Sequence, residues 1–160
     1  MAVKTGVKIK ENLVELYNLE SGFRFLKKLD VLVGIPQESN AGHDGGVTNA
    51  ELLFIHENGS PAKHIPARPV VHTAIGEPEL RVRLQSMFKR GMTLALIGNK
   101  AGAEKVYHQI GMVGASAVQK KFGAIPPPNA PSTIAKKGSS APLIDTGALR
   151  AAITYVVRKK

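Results

Sequence analysis

The sequence predicts an α+β fold: a single domain, residues 1–160, in which a small, mostly antiparallel sheet packs against two or three main helices. Three observations predict this class. Apolar residues recur at three- and four-residue steps in three long segments, which is the period of an amphipathic helix. Short runs rich in β-branched residues lie near residue 31 and at the end of the chain, as in strands. Helical and strand segments are grouped rather than alternating, which favours α+β over a parallel α/β sheet.

The first 29 residues predict a short strand and a helix. Val7 and Ile9 alternate with lysines, which predicts a short terminal strand. Residues 11–29 predict an amphipathic helix, which the Ser21–Gly22 pair could divide into two pieces. Its apolar face comprises Leu13, Leu16, Leu19, Phe23 and Leu26.

The segment that follows predicts a buried strand and then a loop. Val31, Leu32, Val33 and Ile35 form an apolar, largely β-branched run that Pro36 ends. The polar, glycine-rich residues 36–49 then predict an extended loop.

Two further helices are predicted in the middle of the chain. Residues 77–99 place their apolar residues on one face and most of their arginines and lysines off it. Residues 101–123 combine an apolar stripe with a flank of small residues that allows close approach of another backbone. That flank comprises Gly111, Gly114, Ala115 and Ser116.

The last third of the chain predicts a loop, a short helix and a strand. Residues 123–142 are rich in proline and glycine, which predicts a second extended loop. Asp145 is a natural N-cap for a short helix that begins at Thr146. The closing "ITYVVRK" predicts the final strand.

The composition limits the function classes. Twenty-two Lys and Arg against twelve Asp and Glu give a net charge of +10, which favours an acidic partner, either nucleic acid or an acidic protein surface. The absence of cysteine excludes disulfides and thiolate chemistry. No apolar run reaches the roughly 20 residues of a membrane span. The first residues lack the apolar stretch of a secretory signal, so we expect the chain to stay in the cytoplasm.

The stretch "AELLFIHENGSPAKHIPARPVV", residues 50–71, contains the strongest candidate for chemistry, the adjacent His56 and Glu57. A zinc metalloprotease helix has a second histidine three residues after the glutamate, and this chain has Ser60 there. No nucleophile elbow, phosphate loop or dinucleotide fingerprint is present either. We therefore expect no catalytic residue, no metal and no cofactor, and we interpret His56 as a residue that packs or caps where the helix ends at Gly59.

Four segments occur in a recognisable order: "VGIP", "NAELLFIHENGS", "HIPARPVV" and "PPPNAPSTIAKKGSSAPLIDTGALRAAITY". In this order they resemble the neck and tail-completion proteins of tailed double-stranded-DNA bacteriophages, also described as virion morphogenesis proteins. The resemblance covers about residues 31–157. The matching positions form three motifs. The first motif comprises Ala50, His56, Glu57 and Gly59, and the second comprises Ile65, Pro66, Ala67, Arg68 and Pro69. The third motif comprises Pro131, Ser132, Thr133, Lys137, Gly138, Pro142, Leu143, Asp145, Thr146, Gly147, Leu149 and Arg150.

The resemblance implies a structural protein of the virion that joins tail to head around the DNA channel. It implies a ring, with six copies favoured over twelve, whose partners are connector or adaptor proteins and tail-tube or tail-terminator proteins. It also implies that the protein assembles in the host cytoplasm, away from membranes, and touches DNA at most non-specifically. The alternative from composition is a basic nucleic-acid-binding accessory protein.

Five residues are candidates for contacts between subunits or with partners. A guanidinium in a proline-stiffened loop suits a bidentate carboxylate contact, either across an interface or as a salt bridge within the chain. A glycine on the small-residue flank suits helix packing between subunits. The candidates are Arg68, Gly114, Lys136, Lys137 and Arg150.

Overall fold

The computed structural model describes the backbone of residues 3–42 and 46–160 and the side chains of residues 12–42 and 46–160. Over these residues it contains seven α-helices and one two-stranded antiparallel sheet, which confirms the predicted α+β class. In chain order the elements are α1 (Val3–Lys28), β1 (Leu29–Gly34), α2 (Asn49–Asn58), α3 (Val70–Gly76), α4 (Pro78–Leu96), α5 (Lys100–Lys121), α6 (Pro131–Lys137), α7 (Ala148–Ala152) and β2 (Thr154–Lys159).

The chain divides into two compact units. The first comprises residues 1–31, 83–110 and 157–160, and the second comprises residues 32–82 and 111–156. Helices α4 and α5 and both strands contribute residues to each unit, so the division does not coincide with the ends of elements.

In the first unit, α1 and α4 approach closely enough that one of them needs a glycine. A Cβ built on Gly22 would lie 2.5 Å from the carbonyl oxygen of Ala95, a backbone atom that cannot rotate away. Gly22 therefore sits inside a continuous helix as a packing residue, and α1 is not divided there. Phe88 and Tyr107 meet edge to face, with ring centroids 5.6 Å apart. The buried apolar residues of this unit are Leu29, Ala95, Ala103, Val106, Tyr107 and Ile110.

In the second unit, the core lies between α3, the second half of α5 and α7. Val70 and Ala74 of α3 are fully buried, as is Val118 of α5. The small-residue flank of α5 packs within this unit: Gly111 contacts the ring of Tyr155, and a Cβ on Gly114 would lie 2.9 Å from Val33 Cγ2. The complete cluster is Val70, Ala74, Ala115, Val118, Phe122, Ile125, Leu149 and Ile153.

Two predictions about elements are wrong, and one helix was not predicted. Val7 and Ile9 belong to α1 and not to a strand, because the short alternation there is overridden by the helix that continues from residues 11–29. Residues 123–142 are not one extended loop, because α6 forms within them, with Pro131 at its start and Gly138 in the left-handed conformation at its end. Helix α3, which begins directly after Pro69, was not predicted.

The predicted loop at residues 36–49 contains a 3₁₀ turn at Gln37–Ser39 and ends in a capping box. The Thr48 hydroxyl accepts the Glu51 N–H, and the Glu51 carboxylate accepts the Thr48 N–H at 2.8 Å. That backbone hydrogen bond lowers the pKa of Glu51. Residues 43–45 of this loop lie outside the described part of the chain.

Among the helices formed by the described residues, none has both the length and the apolar character needed to cross a bilayer.

Candidate functional site

Glu57 holds the beginning of α3. Helix α3 follows Pro69, which offers no side-chain cap, so its first N–H groups need another acceptor. The Glu57 carboxylate supplies it: Oε2 accepts the Val71 N–H at 3.1 Å and Oε1 accepts the His72 N–H at 2.8 Å. A carboxylate at a helix N-terminus also interacts favourably with the helix dipole. Glu57 is therefore engaged in joining the end of α2 to the start of α3.

His56 is held in place mainly by its backbone. Its carbonyl oxygen accepts the Arg68 N–H at 2.6 Å, which ties the end of α2 to the "IPARP" segment. Its Nδ1 atom is buried and makes no hydrogen bond to a described residue. Burial lowers the pKa of His56, and the positive charges of Arg68 and Lys137 lower it further. The imidazole is thus neutral near pH 7.

The turn between His56 and Arg68 is closed and stiff. Ser60 and Ile65 exchange both backbone hydrogen bonds, at 2.8 and 3.0 Å, around a 3₁₀ turn at Pro61–Lys63. Gly59 has φ = 76°, and a Cβ there would lie 2.8 Å from the Ala67 nitrogen, so only glycine fits. This confirms the predicted helix end at Gly59.

Among the described residues, Arg68 does not form the intrachain salt bridge that was one of the two contacts predicted for it. Its side chain is buried, its Nε donates to the Pro127 carbonyl at 2.8 Å, and its Nη2 donates to the Pro128 carbonyl at 3.1 Å. Two consecutive carbonyl oxygens can accept from the planar fork of a guanidinium in place of a carboxylate. Arg68 therefore fastens the proline segment to the loop after α2 and keeps its positive charge.

The segment after the prolines is anchored by Asn129, which sequence analysis did not single out. Its buried side-chain amide donates to the carbonyls of Ser140 and Ala141, each at 3.2 Å. The Gly123 N–H donates to the Pro142 carbonyl at 3.0 Å, and this hydrogen bond joins the two ends of the segment at residues 123–142. The available signal was an Asn within a Pro-rich run, a residue that commonly bonds nearby backbone.

The third motif does not use Asp145 as a helix cap, so that prediction is wrong. The N-cap of α7 is Gly147, in the left-handed conformation at φ = 83°, and α7 begins at Ala148. The Thr146 hydroxyl accepts the Ala148 N–H at 3.3 Å, while Asp145 is exposed. Gly147 supplies a turn that residues with a Cβ rarely adopt, and this allows Leu149 to enter the core.

The three motifs converge on one open cavity of about 1290 Å³ in the second unit. The loop after α2, the proline segment with α6, and the turn before α7 each form part of its wall. Its mixed lining pairs apolar residues such as Leu52, Ile65 and Leu143 with charged ones. The family-motif positions among its lining residues are His56, Ile65, Pro66, Arg68, Thr133, Lys137, Leu143, Asp145, Thr146, Gly147 and Leu149.

The charge of this cavity is predominantly positive. Lys63, Arg68 and Lys137 line it, and Asp145 is its only acidic lining residue. Lys137 Nζ donates to the Ala141 carbonyl at 3.1 Å, which holds the ammonium group without neutralising it. The arrangement can bind an acidic segment that also offers apolar side chains.

The other predicted contact residues lie on three different helices, α5, α6 and α7. Lys136 and Arg150 are exposed, on α6 and α7 respectively. Gly114 is buried against Val33, so its role in this chain is internal packing. Two further motif positions have local roles. Pro69 immediately precedes α3, and the Ala67 backbone packs against Gly59.

The carboxylate oxygens of Glu57 are occupied by backbone N–H groups, and the His56 Nδ1 is buried. Within residues 12–42 and 46–160, no group of three His, Asp or Glu side chains is placed to hold a metal ion.

Comparisons of the chain with protein-family models, with characterised proteins and with solved structures find no match.

Proposed function

We propose that the protein is a structural component of the head–tail connection of a tailed double-stranded-DNA phage, where copies of it form a ring around the DNA channel. The single observation that carries the proposal is the convergence of the motif segments on one cavity. Residues 56–68, 128–137 and 143–149 are separated in sequence, yet they supply most of its wall. Positions that carry the resemblance to a family of virion proteins thus form the wall of one cavity.

The internal contacts of these residues support a structural role over a catalytic one. Glu57 stabilises the start of α3, and Arg68 fastens the proline segment through two carbonyls. Each contact reduces the number of conformations that the cavity wall can adopt before a partner arrives. A wall organised in advance lowers the entropy cost of binding.

We propose that the cavity receives an acidic, partly apolar segment of an adjoining virion protein. The positive side chains of Lys63, Arg68 and Lys137 complement acidic residues, and the apolar lining complements the side chains between them.

A phage genome carrying this gene tests the proposal. Loss of the gene should yield DNA-filled heads and separate tails that fail to join, with joining restored by the wild-type gene. Lys63→Glu should restore joining poorly, because it reverses a charge at the cavity. Lys89→Glu is the matched control, since Lys89 is an exposed lysine of α4 that does not line the cavity. Normal infectious particles that form without the protein would refute the proposal.

The net charge of +10 favours a second candidate, a basic nucleic-acid-binding accessory protein. A gel-shift series with duplex DNA at increasing salt distinguishes the two. Binding by phosphate contacts weakens steeply with salt, since each contact releases counterions. DNA binding that is present at low salt and falls steeply as salt rises to about 200 mM, together with normal head–tail joining in the absence of the gene, would favour the accessory protein.

A further inference from the structure

Arg68 is a buried cation with no opposite charge beside it. The residue is only 7% exposed, and none of the ion pairs formed by the described residues includes it. Burial lowers the pKa of Arg68, and no neighbouring carboxylate raises it. The carbonyls of Pro127 and Pro128 accept hydrogen bonds from the guanidinium without neutralising its charge. Because buried charges in proteins are normally paired, this guanidinium marks a place where an anion would be stabilised.

One nitrogen of this guanidinium remains available to a ligand. Nε and Nη2 donate to the two proline carbonyls, so Nη1 and its two protons are left. No acceptor for Nη1 occurs in residues 12–42 and 46–160. Nη1 is not fully enclosed either, because over these residues the enclosed side-chain polar atom that lacks a partner is His56 Nδ1 alone. Since Arg68 lines the cavity, Nη1 faces its open space.

Lys137 contributes a second positive charge to the same part of the cavity. The charges of Arg68 and Lys137 both lower the pKa of His56, so both groups lie close to one imidazole. Lys137 is half-buried at the end of α6, and its Nζ donates one of three protons to the Ala141 carbonyl. Asp145, the acidic residue of the cavity wall, pairs with neither cation. The two cations therefore create a positive potential that nothing beside them offsets.

We propose that Arg68 and Lys137 form a carboxylate subsite within the cavity, and that it takes an Asp or Glu side chain of the acidic segment that docks there. The carboxylate accepts from Arg68 Nη1 and from the Lys137 ammonium group, and such charge-assisted hydrogen bonds are about twice as strong as neutral ones. The apolar lining at Leu52, Ile65 and Leu143 favours a carboxylate carried between apolar side chains over a phosphodiester, which has none. The identity of the partner rests on the proposed function, whereas the subsite can be measured on the isolated chain.

Titration of the purified protein with three short peptides tests the subsite. Acetyl-Leu-Glu-Leu-amide carries one side-chain carboxylate, acetyl-Leu-Gln-Leu-amide carries none, and acetyl-Leu-Gln-Leu carries only a terminal one. Binding is followed by the NMR signal of the Arg68 Nε–H group, because substitution of Arg68 is expected to reduce stability. The glutamate peptide should bind at least about tenfold more tightly than the uncharged peptide. Equal binding would overturn the subsite, and tighter binding of the terminal carboxylate would overturn its assignment to a side chain.

Two neighbouring lysines of α6 provide a variant and its matched control. Lys137→Gln removes the positive charge but keeps a donor for the Ala141 carbonyl, so it should weaken binding of the glutamate peptide by roughly three- to tenfold. Lys136→Gln removes the same charge from an exposed residue that does not line the cavity, and it should leave the affinity unchanged. Equal weakening in both variants would show that net charge, and not a subsite, attracts the peptide.

His56 reports where the peptide carboxylate binds. A negative charge bound between Arg68 and Lys137 offsets the two positive charges that lower the pKa of His56, so this pKa should rise when the glutamate peptide is bound. The pKa of His72, which does not line the cavity, should stay the same. An unchanged His56 pKa at saturation would place the peptide elsewhere and would overturn the proposal.

Inorganic phosphate at constant ionic strength distinguishes a carboxylate subsite from a phosphate site. It should shift the Arg68 signal only at higher concentration than the glutamate peptide, since it has no apolar side chains for the cavity lining. Phosphate that acts at lower concentration than the peptide would overturn the carboxylate assignment. Head–tail joining is measured separately, so a peptide that fails to bind would refute the subsite and leave the proposed neck function standing.

Discussion

Glu57 Oε1 accepts the backbone N–H of His72 at 2.8 Å, so the carboxylate that resembles a catalytic base is instead the cap of a helix. Sequence alone could not distinguish these roles, because the two donors lie fourteen and fifteen residues after the acceptor. The contact also explains why α3 can begin after Pro69, a residue that provides no cap of its own. Four predictions follow from this and related contacts.

Replacing Glu57 should reduce stability through the lost cap. We expect Glu57→Gln to lower the free energy of unfolding by about 1 kcal/mol and Glu57→Ala by about 2 kcal/mol, the range found for helix caps. Urea unfolding followed by circular dichroism measures both. Glu38→Gln is the control, because Glu38 is exposed in a 3₁₀ turn. Equal stability of Glu57→Ala and the wild type would show that the cap contributes nothing.

Arg68 should not tolerate lysine. A single ammonium group cannot reproduce the fork to the Pro127 and Pro128 carbonyls, so we expect Arg68→Lys to cost about 1–2 kcal/mol of unfolding free energy. Arg150→Lys, at an exposed arginine of the third motif, should change it by less than about 0.5 kcal/mol. Similar losses in the two variants would argue against a specific role for the Arg68 contacts.

His56 should make stability depend on pH. Burial lowers the pKa of His56 in the folded state, so the unfolded chain binds the proton more readily. The stabilisation is fully present above the unfolded-state pKa of about 6.5 and is lost as pH falls through the lower folded-state pKa. Between pH 7.5 and 5 we expect the wild type to lose more stability than His56→Gln. His72→Gln, at an exposed histidine, is the control, and it should lose as much as the wild type. Parallel curves for the wild type and His56→Gln would contradict this account.

Gly114→Leu should prevent folding rather than assembly, which corrects the role that the sequence predicted for Gly114. A Cβ there would already lie 2.9 Å from Val33 Cγ2, and a leucine would overpack the second unit by more than about 3 kcal/mol. Ser116→Leu, on an exposed position of the same helix, should leave the thermal midpoint within a few degrees. A folded Gly114→Leu protein that merely failed to assemble would restore the original prediction.

The parts of the fold that the sequence predicted are those with a long, regular period. Helices α4 and α5 and strands β1 and β2 follow directly from apolar spacing, and the end of α2 follows from Gly59. Helix α6 was not predicted because proline at residue 131 was interpreted as a loop signal, although proline is well accommodated in a first helical turn.

The candidate site was predicted less completely, because its contacts join distant segments. The motif positions indicated which residues matter, but not that Arg68 binds the carbonyls of residues 127 and 128, since no local pattern encodes a contact across sixty residues. The spacing of Leu13, Leu16, Leu19 and Phe23 predicted a helix, but it did not predict that these side chains are exposed. Spacing alone does not show whether a helix face is covered by the same chain.

The copy number and symmetry of this protein in the phage neck test the central proposal most directly. A cryo-electron-microscopy map of the neck, calculated without imposed symmetry, should contain a closed sixfold ring whose density fits the chain, with six copies or, as the alternative, twelve. A single copy per neck, or a neck without any density for this chain, would contradict the proposed function.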